Sequence, residues 1–347
     1  MNNSGLINNL ILLSLSSIGQ VYAHHGSAPH FDSNDIISFN GTVTQVRFVN
    51  PHAVVHFEVS EVDGSIVEWR CELSGASQLQ RFGWSQDTLV AGDEIRIVGS
   101  RARREANHCD TQSIHLADGT NLSRDVYIQG TIRKSRIADS IDATSRPQYL
   151  QNGQPNISGR WIVREGNGNP LPVPTEAGLL AAERYDIRFD NPSIRCKSGN
   201  IVWDWARQAH VNDIRQEGNQ ILIRYGYLDL TRIIYLDVEE HSEYLIPSLE
   251  GHSIGRWDGD SLVIDTIGFL PLVFIPRESV MTSAEMHVVE RISFDNESSM
   301  LVRDYVVTDP LYLAEPYRGQ DIADLAATAY QPFNCVDLSG ENNRRPD

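Results

Sequence analysis

The sequence predicts an all-β chain folded as two domains. Short runs of alternating apolar residues, rich in Val, Ile, Thr, Tyr and Trp, recur along most of it and are punctuated by Gly, Asn and Asp turns. Helix-like periodicity is confined to two short stretches. With 347 residues, 41% of them hydrophobic, the chain is too long for one small core.

The first domain is expected over residues 24–118. Strands are predicted at 41–49, 53–59 and 66–73, with Val62-Asp63-Gly64-Ser65 as a hairpin turn between the second and third. Val43 and Phe48 stand on either side of a slip in the alternation of the first. Ser74 is placed to cap a short helix running through Phe82, with Leu79 and Phe82 on one face. Strands at 94–98 and 112–116 follow, the first preceded by a Val90-Ala91-Gly92-Asp93 turn. Three strands, a helix and two strands is the order of a small OB-like barrel.

Residues 119–156 are polar and read as a linker, with one strand at Val126-Tyr127-Ile128. The second domain is expected over 157–340, followed by a disordered tail at 341–347. Thr175 is placed to cap a helix over 175–184. Strands are predicted at 201–205, 220–227, 231–237, 261–266, 286–294 and 300–307, with turns at Gly218-Asn219 and Asp258-Gly259-Asp260. Meandering strands with close turns suggest a larger antiparallel β-barrel or sandwich. Gly159-Arg160-Trp161 recurs as Gly255-Arg256-Trp257; a Gly-x-Trp at the first strand resembles lipocalin-like barrels, where the Trp closes one end.

Residues 1–23 read as a signal peptide. An apolar run from Leu6 to Ile18 leads to Val21-Tyr22-Ala23, a fit to a signal-peptidase site, although no Lys or Arg precedes the run. The run is too short and serine-rich to span a bilayer, and nothing later resembles a transmembrane segment. A periplasmic or secreted protein, not integral to the membrane after cleavage, is expected. In that compartment Cys71, Cys109, Cys196 and Cys335 are read as disulfides, with one bridge within each domain the simplest of three pairings. The net charge of −17 repels phosphate backbones, so nucleic acid is not an expected partner.

Several motifs resemble known families. His24-His25-Gly26-Ser27, Phe31-Asp32, Gly41-Thr42-Val43, Asn50-Pro51-His52-Ala53, Gly83-Trp84 and Leu89-Val90-Ala91-Gly92-Asp93 together resemble an exported bacterial family known only as a domain of unknown function. Asn191-Pro192-Ser193-Ile194-Arg195-Cys196, the run from Gly251 to Thr266, and His287-Val288-Val289-Glu290-Arg291 resemble a second uncharacterised domain often found in similar exported proteins. The resemblance implies export and architecture and carries no catalytic mechanism.

Two constellations could carry chemistry. Cleavage after Ala23 makes His24 the first residue, so that its α-amine and Nδ1 chelate one ion. One more imidazole completes a T-shaped nitrogen set suited to copper. His25 offers a competing mode, and His52 or His56, four apart in a predicted strand, supply the third ligand; His30 is also near. In the second domain His252, Arg256, His287 and Arg291 are ligand-binding candidates within a group that also holds Asp260, Asp265 and Glu290. Strand alternation puts His287 and Arg291 on one side and Glu290 on the other. A barrel interior holding the first pair would suit an acidic ligand or acid/base work.

No nucleophile elbow, phosphate loop or dinucleotide fingerprint occurs. The leading expectation is therefore a module binding a metal or small ligand. The alternatives are an enzyme, with copper at His24 or an acid/base site in the second barrel, and a structural or assembly partner in the cell envelope.

Overall fold

A 17-residue strand, β1 (Phe31–Arg47), organises the first sheet in the computed structural model of the protein. The structure describes residues 30–81, 83–123, 147–164, 170–207, 210–295, 298, 300–326 and 329–336. The expected signal peptide, His24 and His25, the strand at 126–128 and the tail lie outside the described residues.

The first half of β1 pairs with β4 (Glu94–Ala102) and the second half with β2 (Val54–Ser60), both antiparallel. Between Val43 and Gln45 the register shifts, so the slip in the alternation is a bulge that bends the strand from one partner to the other. Gly41 stands where the backbones approach most closely, since a Cβ there would lie 2.4 Å from the Glu58 carbonyl oxygen. Strand β2 continues into β3 (Ile66–Glu72), and β4 into β5 (His108–Leu116) and the short β6 (Asn121–Ser123). A parallel pairing of β3 with β5 then closes five strands on themselves, in the order expected of an OB-type barrel. Cys71 and Cys109 are register partners across that closing seam, and they form a disulfide.

Helix α1 (Ala76–Arg81) joins β3 to β4 and buries Leu79. Asn50, and not the expected Ser74, caps its start: Ser77 donates from its backbone N and its Oγ to Asn50 Oδ1 at 3.2 and 2.9 Å. Asn50 also donates to the Phe333 carbonyl oxygen at 2.5 Å, and its own carbonyl accepts from Val336 N. The second disulfide, Cys196–Cys335, lies beside this contact.

The second sheet is a closed barrel of nine strands, which decides between barrel and sandwich. Its strands are β7 (Gly159–Val163), β8 (Val211–Glu217), β9 (Gln220–Arg224), β10 (Thr231–Tyr235), β11 (His252–Asp258), β12 (Ser261–Ile267), β15 (His287–Asp295), β16 (Met300–Thr308) and β17 (Tyr317–Leu325). A ribbon of β13 (Leu272–Ile275) and β14 (Val280–Thr282) intervenes. One pair, β10 with β11, is parallel, so the barrel is not wholly antiparallel as expected. Gly255 sits at this seam, where an added Cβ would meet Ile234 Cγ2 at 2.6 Å. Helix α2 (Glu176–Ala182) starts on its expected cap, with Gly178 N donating to Thr175 Oγ1.

The strand expected at 201–205 is instead a series of turns. Asn200 Oδ1 accepts from Val202 N and Trp203 N at 3.1 and 2.8 Å, and this local bonding overrides the alternating apolar pattern. The turn also aims the Ile201 and Val202 carbonyls at Arg303.

Trp161, Ile214, Ile223, Ile264, Val288 and Ile292 pack inside the larger barrel around a charged centre. Glu290 accepts from Arg232 Nη2 at 2.5 Å and from Arg303 Nη1 at 3.3 Å; all three side chains are at most 2% exposed. Arg232 also donates to Ser253 and Thr266, and Arg303 to Asp321 at 2.6 Å. Burial opposes ionisation of Glu290, but Arg232 and Arg303 hold its carboxyl below the usual range. The interior around Glu290 is thus filled by side chains whose charges are paired, although Arg232 Nη1 and Tyr225 Oη have no hydrogen-bond partner among the described residues.

Two outcomes check this account. Glu290→Gln leaves two buried guanidiniums short of charge and costs about 3–5 kcal/mol of stability in urea unfolding. Replacing Cys71 and Cys109 together by Ala opens the seam of the smaller barrel and costs about 2–4 kcal/mol.

Candidate functional site

Parallel strands cannot be joined by a tight hairpin. The chain between β10 and β11 therefore makes a long connection, residues 236–251, and this connection delivers His241 to the outer wall of the barrel. Register places the other members. Asp265 of β12 lies opposite Ile254 of β11 and Val289 of β15. His252 and His287 stand two residues before those partners, hence on the same face and diagonally adjacent to Asp265.

The four side chains form a chain of contacts. His241 Nδ1 is 2.7 Å from His252 Nδ1. His241 Nε2 is 2.9 Å, and His287 Nε2 3.0 Å, from the same oxygen, Asp265 Oδ1. With Asp265 as a carboxylate both Nε2 atoms must donate. A neutral His241 then accepts at Nδ1 from His252. His252 stacks on Tyr235 with ring centroids 5.5 Å apart. Burial, then the charge of His241, lower its pKa and favour the neutral ring. His241 is 13% exposed while Asp265 and His287 are 34% and 39% exposed, so one side of the cluster is open to solvent.

Of the expected ligand-binding residues, His252 and His287 meet here. Arg256 and Arg291 lie further along the same wall and line a shallow groove with Asp258, Val263 and Val289. Arg291 donates to Asp258 Oδ2 at 2.9 and 2.5 Å. His287 and Arg291 do share a face opposite Glu290, but that face is outside the barrel, because Val288, Glu290 and Ile292 are the inward set. An acid/base or ligand site formed by this pair inside the barrel is therefore not what the structure contains. His241 was not signalled by the sequence, for it lies in the polar run Glu239-Glu240-His241-Ser242-Glu243. The one available clue was the length of that run, too long for a hairpin between two strands.

In the smaller barrel His52 and His56 go to different carboxylates. Strand β2 begins at Val54, so His52 precedes it and does not share its alternation. His52 Nδ1 lies 3.2 Å from Glu72 Oε2, an ion contact by distance without hydrogen-bond alignment. His56 Nδ1 lies 3.6 Å from Glu68 Oε1. His108, 4% exposed, approaches Glu72 with Nε2 and Glu105 with Nδ1, each at 3.3 Å; Arg70 also binds Glu105. Among the described residues no three imidazole, carboxylate or thiolate groups already converge on a metal position.

Burial opposes ionisation of Glu72, but the His108 hydrogen bond and the charges of His52, His108 and His30 outweigh it and lower its pKa to about 2 from an ordinary 4.5. A lowered carboxyl pKa stabilises the fold above its unfolded value, and the contribution is lost as pH falls through the folded value. The urea midpoint is therefore expected to drop between pH 4.5 and about 2. Glu72→Gln, measured over the same range, shows a smaller drop.

Comparison with known proteins adds little chemistry. Residues 12–111 match a family of unknown function (DUF6152). No curated protein matches the chain. The crystal structure of the fluorescent protein UnaG is similar at 13% identity and a TM-score of 0.26, covering 49% of this chain and 97% of that one. A point mutant of UnaG is similar at 11% identity and a TM-score of 0.25, covering 50% and 97%. At such TM-scores neither likeness bears on fold or function. The family match covers most of the smaller barrel and leaves the residues of the outer-wall cluster outside it.

Proposed function

We propose that the protein is an exported binding module that captures a divalent transition metal with His241, Asp265 and His287 on the outer wall of the larger barrel. Two disulfides suit an oxidising compartment outside the cytoplasm. The observation that carries the metal reading is the convergence of two imidazole Nε2 atoms on one carboxylate oxygen, at 2.9 and 3.0 Å.

Two imidazoles and a carboxylate with an open side form a donor set used for zinc and for non-haem iron. With metal–ligand bonds of about 2.1 Å, neighbouring donors in a tetrahedral site stand about 3.3–3.4 Å apart. The present contacts need to open by only about 0.3–0.5 Å for an ion to replace the two N–H protons. His241 would then carry its proton on Nδ1 and donate it to His252. Metal-bound histidines commonly donate their second ring N–H in this way, which fixes their orientation. His252, with its lowered pKa, is a suitable acceptor.

Zinc and copper titration of the full mature protein tests the proposal. Protein with His24 and His25 both replaced by Ala separates this site from any N-terminal chelate. That variant is expected to keep one saturable zinc site. His287→Ala or Asp265→Asn weakens it about tenfold or more, and His252→Ala about 10- to 100-fold. Affinity falls as pH drops below about 6, where protons compete for the imidazoles. Undiminished zinc uptake in His241→Ala and His287→Ala, or no uptake at pH 7.5, overturns the assignment.

A further inference from the structure

The chain carries 46 acidic residues against 29 basic ones, and among the described residues several buried or half-buried arginines are matched to carboxylates. Arg232 and Arg303 have Glu290, and Arg224 has Asp213. Arg207 and Arg277 do not follow this pattern. Arg207 Nε and Arg277 Nη2 are buried N–H groups without a hydrogen-bond partner.

The two residues come from neighbouring pieces of the fold. Arg207 ends the 201–206 turn, and Arg277 lies in the 3-10 turn Pro276–Glu278 between β13 and β14. Asn200 Nδ2 donates to the Phe274 carbonyl oxygen at 2.9 Å and ties these pieces together. The Arg207 guanidinium lies 5.1 Å from the ring centre of Trp203 and 5.0 Å from that of Tyr227. Aromatic contacts of this kind hold an arginine without using its hydrogen-bonding edge. Asp204 feels the charge of Arg207, and Ser198 Oγ and Gly199 N both donate to its Oδ2. Glu278, next to Arg277, is exposed.

We propose that Arg207 and Arg277 form a binding site for a small oxyanion, phosphate or a carboxylate, at the junction of the 201–206 turn and the β13–β14 ribbon. Unpaired buried N–H groups are costly, and Arg207 Nε and Arg277 Nη2, each near a carboxylate charge but hydrogen-bonded to none, can be satisfied by an external anion. Burial lowers the pKa of Arg277, the charge of Glu278 opposes that, and the charge of Arg207 adds to the lowering; a bound anion would favour the ionised form further. A planar fork of N–H donors matches the oxygens of phosphate or carboxylate. The bound anion makes new hydrogen bonds and undergoes no covalent change.

Thermal unfolding of the full chain with inorganic phosphate, and separately with acetate, at constant ionic strength tests the site. A saturable rise in the unfolding temperature is expected with at least one anion, and which one responds distinguishes the two chemistries. Arg277→Gln and Arg207→Gln each weaken the response about tenfold or more. In anion-free buffer Arg277→Gln is expected to unfold no earlier than the parent, since it removes a half-buried charge whose Nη2 has no hydrogen-bond partner; a purely structural arginine would show the opposite. Arg277→Lys keeps the charge, loses the fork, and should bind weakly. No saturable rise with either anion beyond that of sodium chloride overturns the proposal, as does an undiminished rise in both glutamine variants.

Discussion

The larger barrel depends on Glu290 lying inside it between Arg232 and Arg303. Side chains on a strand alternate faces, and a slip of one residue would turn the whole set over. Moving Glu290 to the solvent face would leave Arg232 buried without a counter-charge and Arg303 with Asp321 alone, and push His287 and Arg291 into the apolar core. The ion pairs therefore select a register as much as they hold strands together. That register puts Asp265 and His287 on the outer wall, within reach of each other.

The outer cluster follows from the same constraint together with one topological feature. A parallel seam between β10 and β11 forces a long connection, and His241 rides on it. The cluster thus joins residues from rigid strands to one from a connecting segment. Such a segment can shift by a few tenths of an ångström at less cost than the strands that frame it, which is the adjustment metal entry would require.

Much of the architecture was readable from the chain. Alternation of Val, Ile and Tyr marked the strands near 220, 231, 261, 286 and 300, because each of them buries one face against a core. Thr175 marked α2 because its side chain accepts from Gly178 N, one of the free N–H groups in the first turn of the helix. Other features were not readable. Ile201, Trp203 and Trp205 alternate as a strand would, yet Asn200 bends them into turns through bonds that a hydrophobic pattern does not record. Strand alternation separated His287 from Glu290 correctly, but which face is inner depended on partners at Arg232 and Arg303, far away in sequence. Asn50 in place of Ser74 at the start of α1 has the same origin, a long-range contact replacing a local one.

Metal capture would act on two nitrogen atoms, Nε2 of His241 and of His287, and long-range proton–nitrogen NMR of the histidine rings observes them directly. Zinc addition is predicted to shift Nε2 of His241 and His287 into the metal-bound range while the proton moves to their Nδ1 atoms, with His252 Nδ1 turning from donor into unprotonated acceptor. Spectra in which those three rings keep their metal-free tautomers at saturating zinc would contradict the account.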